Sequence, residues 1–156
     1  MTPLAITDYT AASAIGLGRD ATAAALRDGR TGLAPKTFET AALDTWIGEV
    51  EGVDACALPP ALADFDCRNN RLAWLGLQAD GFADAVARAR ARHGAHRVGV
   101  FLGTSTSGIL QTELAYRRRD PASGALPPDF HVAQTHNSFS VADFARRALG
   151  LDGPVF

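Results

Sequence analysis

The stretch Arg97-Val-Gly-Val-Phe-Leu-Gly-Thr-Ser-Thr-Ser-Gly108 constrains this chain more than any other part of it. An apolar run, Val98 to Leu102, is broken by glycine and followed by small hydroxyl residues. Ile109-Leu-Gln-Thr-Glu-Leu-Ala-Tyr116 comes next, with helical spacing. This order reads as a buried strand that passes through a tight Gly/Ser/Thr turn into a helix. The strand is apolar on both faces, as a central strand of a parallel sheet is. At the turn the side chains are small, so a ligand can approach the backbone beside the N-terminus of a helix.

The remaining pattern alternates strands and helices. Pro3 to Thr10 reads as a first strand and Ala11 to Gly18 as a loop. Asp20 is placed to cap a helix over 21–28, with Gly29 as its stop. Trp46 to Val53 reads as a half-exposed edge strand, and the stretch from Pro59 to Cys67 as a connector. From Asn69 to His93, Leu72, Leu75, Ala79, Phe82, Val86 and Ala89 recur at three- and four-residue steps, which predicts one long helix weakened locally by Gly76 and Gly81. A loop runs from Asp120 to Pro128. Val141, Phe144, Ala145 and Leu149 mark a helix over 140–149, and Pro154 begins an apolar strand. The expectation is an α/β layered fold with a mainly parallel mixed sheet and helices on both faces.

At 156 residues the chain fits one domain, and such a domain buries roughly 70% of its unfolded surface. A formal net charge of −2 gives no reason to expect nucleic acid or a membrane as partner. No apolar segment reaches the length of about 18 residues that spans a bilayer. The opening Met1-Thr-Pro-Leu-Ala-Ile lacks the basic flank and long apolar core of a secretion signal. A cytoplasmic protein with two free thiols follows as the expectation.

Several groups invite a chemical reading, and each has a plainer one. Gly103 to Gly108 reads either as an anion-binding turn or as a structural strand-to-helix turn, and it lacks the Gly-Lys-Ser/Thr of a phosphate loop. Cys56 and Cys67 lie outside any strand-turn-helix elbow and read as inert thiols. His93, His96, His131 and His136 lack Cys or carboxylate partners at metal-ligand spacing. Arg117, Arg118 and Arg119, with Arg146 and Arg147, form either a basic patch or solvated helix ends.

The wording Val-Gly-Val-Phe-Leu-Gly-Thr-Ser-Thr-Ser-Gly (98–108) resembles the β-ketoacyl synthase family of the thiolase superfamily. Ser13-Ala-Ile-Gly16, Leu26-Arg-Asp-Gly-Arg-Thr-Gly-Leu33 and Gly150-Leu-Asp-Gly-Pro-Val-Phe156 are similar to further family segments in the same order, whereas Asp8 and Thr10 replace familiar early glycines. Asn69-Asn-Arg-Leu-Ala-Trp74 resembles the start of the family helix near the active-site entrance, with Trp74 read as core.

The resemblance implies that residues 1–156 are the N-terminal part of a thiolase-like fold, incomplete at its C-terminal end because the nucleophilic cysteine and both catalytic histidines lie beyond it. It implies an acyltransferase that condenses acyl and malonyl thioesters in fatty-acid, polyketide or aryl-polyene synthesis. No organic cofactor or metal is implied, since phosphopantetheine of an acyl carrier protein carries the substrates. The implied partners are that carrier protein and the other half of the enzyme or a ketosynthase-like subunit, in a homo- or heterodimer. Thr106 becomes the candidate acyl-pocket residue, with Ser105, Ser107 and Ile109 beside it, and the arginines at 117–119 a candidate carrier-protein contact. A non-catalytic chain-length subunit and an acyl-binding remnant are the alternatives.

Overall fold

The stripe formed by Val141, Phe144 and Ala145 decides where the core forms, because all three side chains are buried on one face of a single helix. A computed structural model describes residues 3–36, 38 and 42–156. Met1 and Thr2 lie outside the described residues. In chain order the elements are β1 (Ala12–Ser13), β2 (Gly16–Leu17), α1 (Arg19–Arg27), β3 (Leu33–Pro35), β4 (Trp46–Gly48), α2 (Arg68–Gln78), α3 (Phe82–His93), α4 (Ile109–Arg117) and α5 (Ser140–Ala148). A 3₁₀ helix, Pro60–Phe65, precedes α2, and one turn of π-helix, Val132–His136, precedes α5. No helix is long and apolar enough to cross a membrane among the described residues.

Helix α5 lies against α2 and the 3₁₀ helix. Phe144 is fully buried between Phe65, at a centroid distance of 6.0 Å, and Trp74, which meets it edge-on at 6.4 Å. Leu62, Leu58, Ala73, Leu77 and Ala148 close around the three rings. Offset and edge-on aromatic contacts add to the apolar area removed from water. Trp74 is therefore a core residue, as the sequence suggests. Asn70 is also fully buried. Its Nδ2 donates to the carbonyls of Phe65 (2.9 Å) and Gln134 (3.2 Å), which ties the 3₁₀ helix to the π turn.

The long helix expected over 69–93 is two helices. Asp80 (φ 59°) and Gly81 (φ 70°) are both left-handed, which no continuous α-helix accommodates. Hydrogen bonds from residues distant in sequence hold Asp80 there. Its carboxylate accepts the Arg19 backbone N–H on both oxygens (3.1 and 2.9 Å) and the Thr10 hydroxyl (2.9 Å). The carboxylate thereby caps α1, which starts at Arg19 behind a glycine that has no side chain to cap it; Asp20 falls in the first turn. The stop at Gly29 is as expected. With φ at 62°, Gly29 lets Arg30 N–H reach Ala25 O (2.9 Å) while its own N–H reaches Leu26 O (3.3 Å).

The strands are shorter than the sequence suggests. Residues 11–18, expected as a loop, contain the tight hairpin β1–β2, with Ala12 opposite Leu17. Strand β4 covers Trp46–Gly48 only and pairs antiparallel with β3, Ile47 opposite Ala34. The segment after Arg97 lies parallel to Pro154–Phe156, bridged at Val100 and Val155. Three backbone bonds hold it there: Val100 N–H to Pro154 O, Phe156 N–H to Val100 O and Leu102 N–H to Phe156 O, at 2.8–2.9 Å. Phe101 stacks on Phe156 at 5.2 Å on the exposed side of this pair. Pro3 to Thr10, expected as the first strand, enters no ladder among the described residues, and Leu4 and Ile6 are exposed. Apolar alternation specifies a strand only where a neighbour takes up its N–H and C=O groups.

Removing the central ring tests the core. Phe144→Ala is expected to cost about 3–5 kcal/mol, read as a lowered urea midpoint with helical circular dichroism retained in water.

Candidate functional site

The strand-to-helix turn that opens the sequence argument forms one wall of a cleft of about 520 Å³. Gly108 shows why the turn needs a glycine at its end. It is buried, donates its N–H to Thr135 O (2.7 Å), and a Cβ there would collide with that oxygen and crowd Cys67. The structural reading holds for Gly108. Gly103 has open space around its Cα and no such demand. Between them the turn is tied within itself, where Thr104 Oγ1 donates to Thr106 O (2.7 Å), and to the π turn, where Ser107 Oγ donates to His136 O.

Thr106, Ser107 and Ile109 line the cleft; Ser105 does not. Opposite them stand residues of the β4 edge and the loop after it: Ile47, Val50 and Val53. Phe38 and Leu72 complete an apolar wall. The sequence gives little sign of this second wall, because Val50 and Val53 read as strand and lie in a loop. Asn69, on the first turn of α2, and Gln111, on the first turn of α4, line the cleft as well.

Charge at the cleft is internally paired. Lys36, the only lysine of the chain, forms an ion pair with Glu49, and Arg68 Nη1 lies 3.2 Å from Asp54 Oδ1. The Lys36 ammonium holds the Glu49 carboxyl below the usual carboxylate range. Arg68 also sits over the Phe38 ring at 5.0 Å. An apolar wall with a few polar groups and no surplus charge suits a largely apolar, uncharged ligand.

The other sequence candidates lie apart from this cleft. Arg118 pairs with Asp129 (3.0 Å) beside a smaller cavity that includes Asp64 and His131. Arg146 and Arg147 both bind Asp143, at 2.8 and 2.9 Å. Burial pushes the Asp143 carboxyl up, and the two guanidinium groups outweigh it and hold it low. Arg118, Arg146 and Arg147 thus each have a carboxylate partner. His131 lies 3.7 Å from Asp64, and His136 Nδ1 lies 2.7 Å from Thr112 Oγ1. No three His, Cys, Asp or Glu side chains gather in metal-binding geometry among the described residues.

Neither cysteine is activated. Cys67 is fully buried at the start of α2. Burial pushes its thiol up despite the nearby N–H groups of Asn70 and Asn69. Burial also raises Cys56. A thiolate nucleophile requires the opposite shift.

No family model matches the sequence, and no curated protein matches it. The three-dimensional comparison does find similarity. A chain of the ketosynthase (ApeO) in complex with its chain length factor (ApeC) from Xenorhabdus doucetiae superposes with a TM-score of 0.63 at 24% identity. The fold is ketosynthase-like. The match covers 95% of this chain and 38% of that one. The mixed α/β composition agrees with the sequence expectation; of the mainly parallel sheet, the described residues show the parallel bridge at Val100 and Val155, beside two two-stranded antiparallel ladders.

Thiol reactivity checks the electrostatics. An uncharged disulfide reagent is expected to modify half-buried Cys56 first and Cys67 only on unfolding. Because both thiols are raised above 9.0, the Cys56 rate should still be climbing at pH 9 rather than levelling off. A rate for Cys67 in the native protein equal to that of a free thiol would contradict the burial described.

Proposed function

We propose that this chain forms an acyl-pocket wall of a ketosynthase-like subunit, as the N-terminal part of a β-ketoacyl-acyl-carrier-protein synthase. The observation that carries the reading is the coincidence of two things: the ketosynthase-like fold, and a cleft lined by Thr106, Ser107 and Ile109 and walled by apolar side chains. Fold alone does not specify chemistry, so the reading rests on the cleft.

In this reading the complete subunit works in the cytoplasm as a dimer. It takes an acyl group from the phosphopantetheine thioester of an acyl carrier protein onto a cysteine, releases CO₂ from a malonyl thioester and joins the two carbon chains. No metal or organic cofactor takes part. Cys56 and Cys67 are unsuited to the acyl-enzyme, so the nucleophile belongs to residues outside these 156 or to a partner subunit. A second reading, in which the chain belongs to a non-catalytic chain-length subunit that shapes a partner's pocket, is supported by the neighbour's being a ketosynthase in complex with its chain length factor. The two share the cleft and differ in whether an acyl-enzyme forms.

Chain-length selection tests both. Thr106→Phe places a ring in the cleft, and each methylene excluded from an apolar site costs about 0.8 kcal/mol. Excluding two or more is expected to weaken binding of a dodecanoyl pantetheine thioester at least tenfold, with acetyl pantetheine unchanged, in equilibrium titrations of the full chain. Equal affinity of variant and parent for the long thioester would remove the pocket assignment. Intact mass after incubation with the thioester is expected to show no acyl adduct on this chain; a stable adduct contradicts both readings.

A further inference from the structure

Positive charge gathers without a counter-ion where α3 ends. From Arg88 to Arg97 the chain carries Arg88, Arg90, Arg92 and Arg97 and no carboxylate, and all four arginines are exposed. The Arg90 guanidinium reaches the end of α5, where it donates to the carbonyls of Leu149 (3.0 Å) and Gly150 (3.3 Å). Ala95 O accepts the Asp152 N–H (3.1 Å), so the turn at 95–97 closes on the same loop. These two contacts gather the segment around one end of the fold. Arg88 and Arg92 stand one turn apart on the exposed side of α3. The side chains of Arg88, Arg92 and Arg97 make no hydrogen bond or ion pair among the described residues. Elsewhere Arg19, Arg68, Arg71, Arg118, Arg146 and Arg147 each hold a carboxylate.

A helix C-terminus favours cations in its last turn, which accounts for Arg90 and Arg92. It does not account for Arg88, which lies further in and repels Arg92 at the i,i+4 spacing. The nearby carboxylates do not relieve this: Asp84 stands one turn before Arg88 without pairing, and Asp152 lies 3.9 Å from Arg146. We infer that the end of α3 and the turn after it dock an acidic, helical surface of a protein partner. Arginines one turn apart are about 5–6 Å from each other, the spacing of carboxylates one turn apart on a facing helix. A nucleic acid fits less well, because Arg88 to Arg97 offers no Phe, Tyr or Trp for bases to stack on and the chain as a whole carries a formal charge of −2. The surface is also remote from the cleft. The extended residues 98–102 lie between it and the turn at 103–108, and at about 3.3 Å per residue they separate the two by roughly 16 Å. It is therefore a docking surface rather than part of the acyl pocket, and it does not depend on that reading.

The test titrates the full chain by NMR with an alanine-based helical peptide bearing Glu at every fourth residue, and with the same peptide bearing Gln instead. The acidic peptide is expected to bind at least tenfold more tightly at low salt, the order that three exposed ion pairs together provide. Shift changes should centre on residues 88–97 and vanish near 1 M salt, where the screening length falls to about 3 Å. The combined variant Arg88→Gln, Arg92→Gln, Arg97→Gln is expected to lose that preference. Its thermal midpoint should be no lower than the parent's, since the substitution removes repulsion and no contact. The combined variant Arg117→Gln, Arg118→Gln, Arg119→Gln is expected to bind the acidic peptide as the parent does. Equal binding of the two peptides by the parent, or an undiminished preference in the first variant, overturns the inference. So does tighter binding of a single-stranded oligothymidylate than of the acidic peptide. Each of these outcomes leaves the acyl-pocket reading untouched, because that reading is tested at Thr106.

Discussion

A single buried carboxamide ties α2, the 3₁₀ helix and the π turn to one another. Asn70 is fully enclosed, and its Nδ2 satisfies the Phe65 carbonyl at the end of the 3₁₀ helix and the Gln134 carbonyl in the π turn. A buried donor of this kind holds its acceptors because losing them would strand polar groups away from water. From the π turn the constraint passes on: Thr135 O accepts the Gly108 N–H, and Ser107 donates to His136 O, so the start of α4 is placed by the same tie. The cleft lies where this framework meets the β3–β4 hairpin. Its floor therefore depends on a contact in the protein's interior rather than on the mouth residues.

What the sequence shows well is what depends on one element. The apolar face of α5, the helix after Gly108 and the edge strand at Trp46 each follow from local periodicity. The stop at Gly29 follows from the backbone freedom of glycine. The break at Asp80 does not, because its left-handed backbone is held by Arg19 and Thr10, more than sixty residues earlier in the chain. The hairpin at 12–17 is hidden for a related reason: its paired strands are two residues long, too short to show alternation. Pro3 to Thr10 has the composition of a strand, yet composition cannot supply the neighbour that a ladder requires.

The cleft was legible on one side. Thr106, Ser107 and Ile109 stand out because small residues cluster before a helical run, and they do line it; Ser105 shares that signal and is not part of the lining. The facing wall comes from three separate stretches around Ile47, Val53 and Leu72, whose approach is tertiary. The contributions of Asn69 and Gln111 could be sought in the sequence only as polar residues in the first turns of apolar helices. The same limit applies to charge. Runs such as Arg117–Arg119 and Arg146–Arg147 look like a cationic surface until Asp129 and Asp143, which neutralise part of each, are placed beside them.

The pairing of Lys36 with Glu49 has a practical corollary. Since no other lysine exists in the chain, the rim of the cleft carries the protein's sole side-chain amine. Once the terminal α-amine is blocked, a fluorophore attached through amine chemistry would thus sit at one side-chain position, beside Phe38 and the apolar wall. Its emission would report on whatever enters, without the engineering of a unique attachment point.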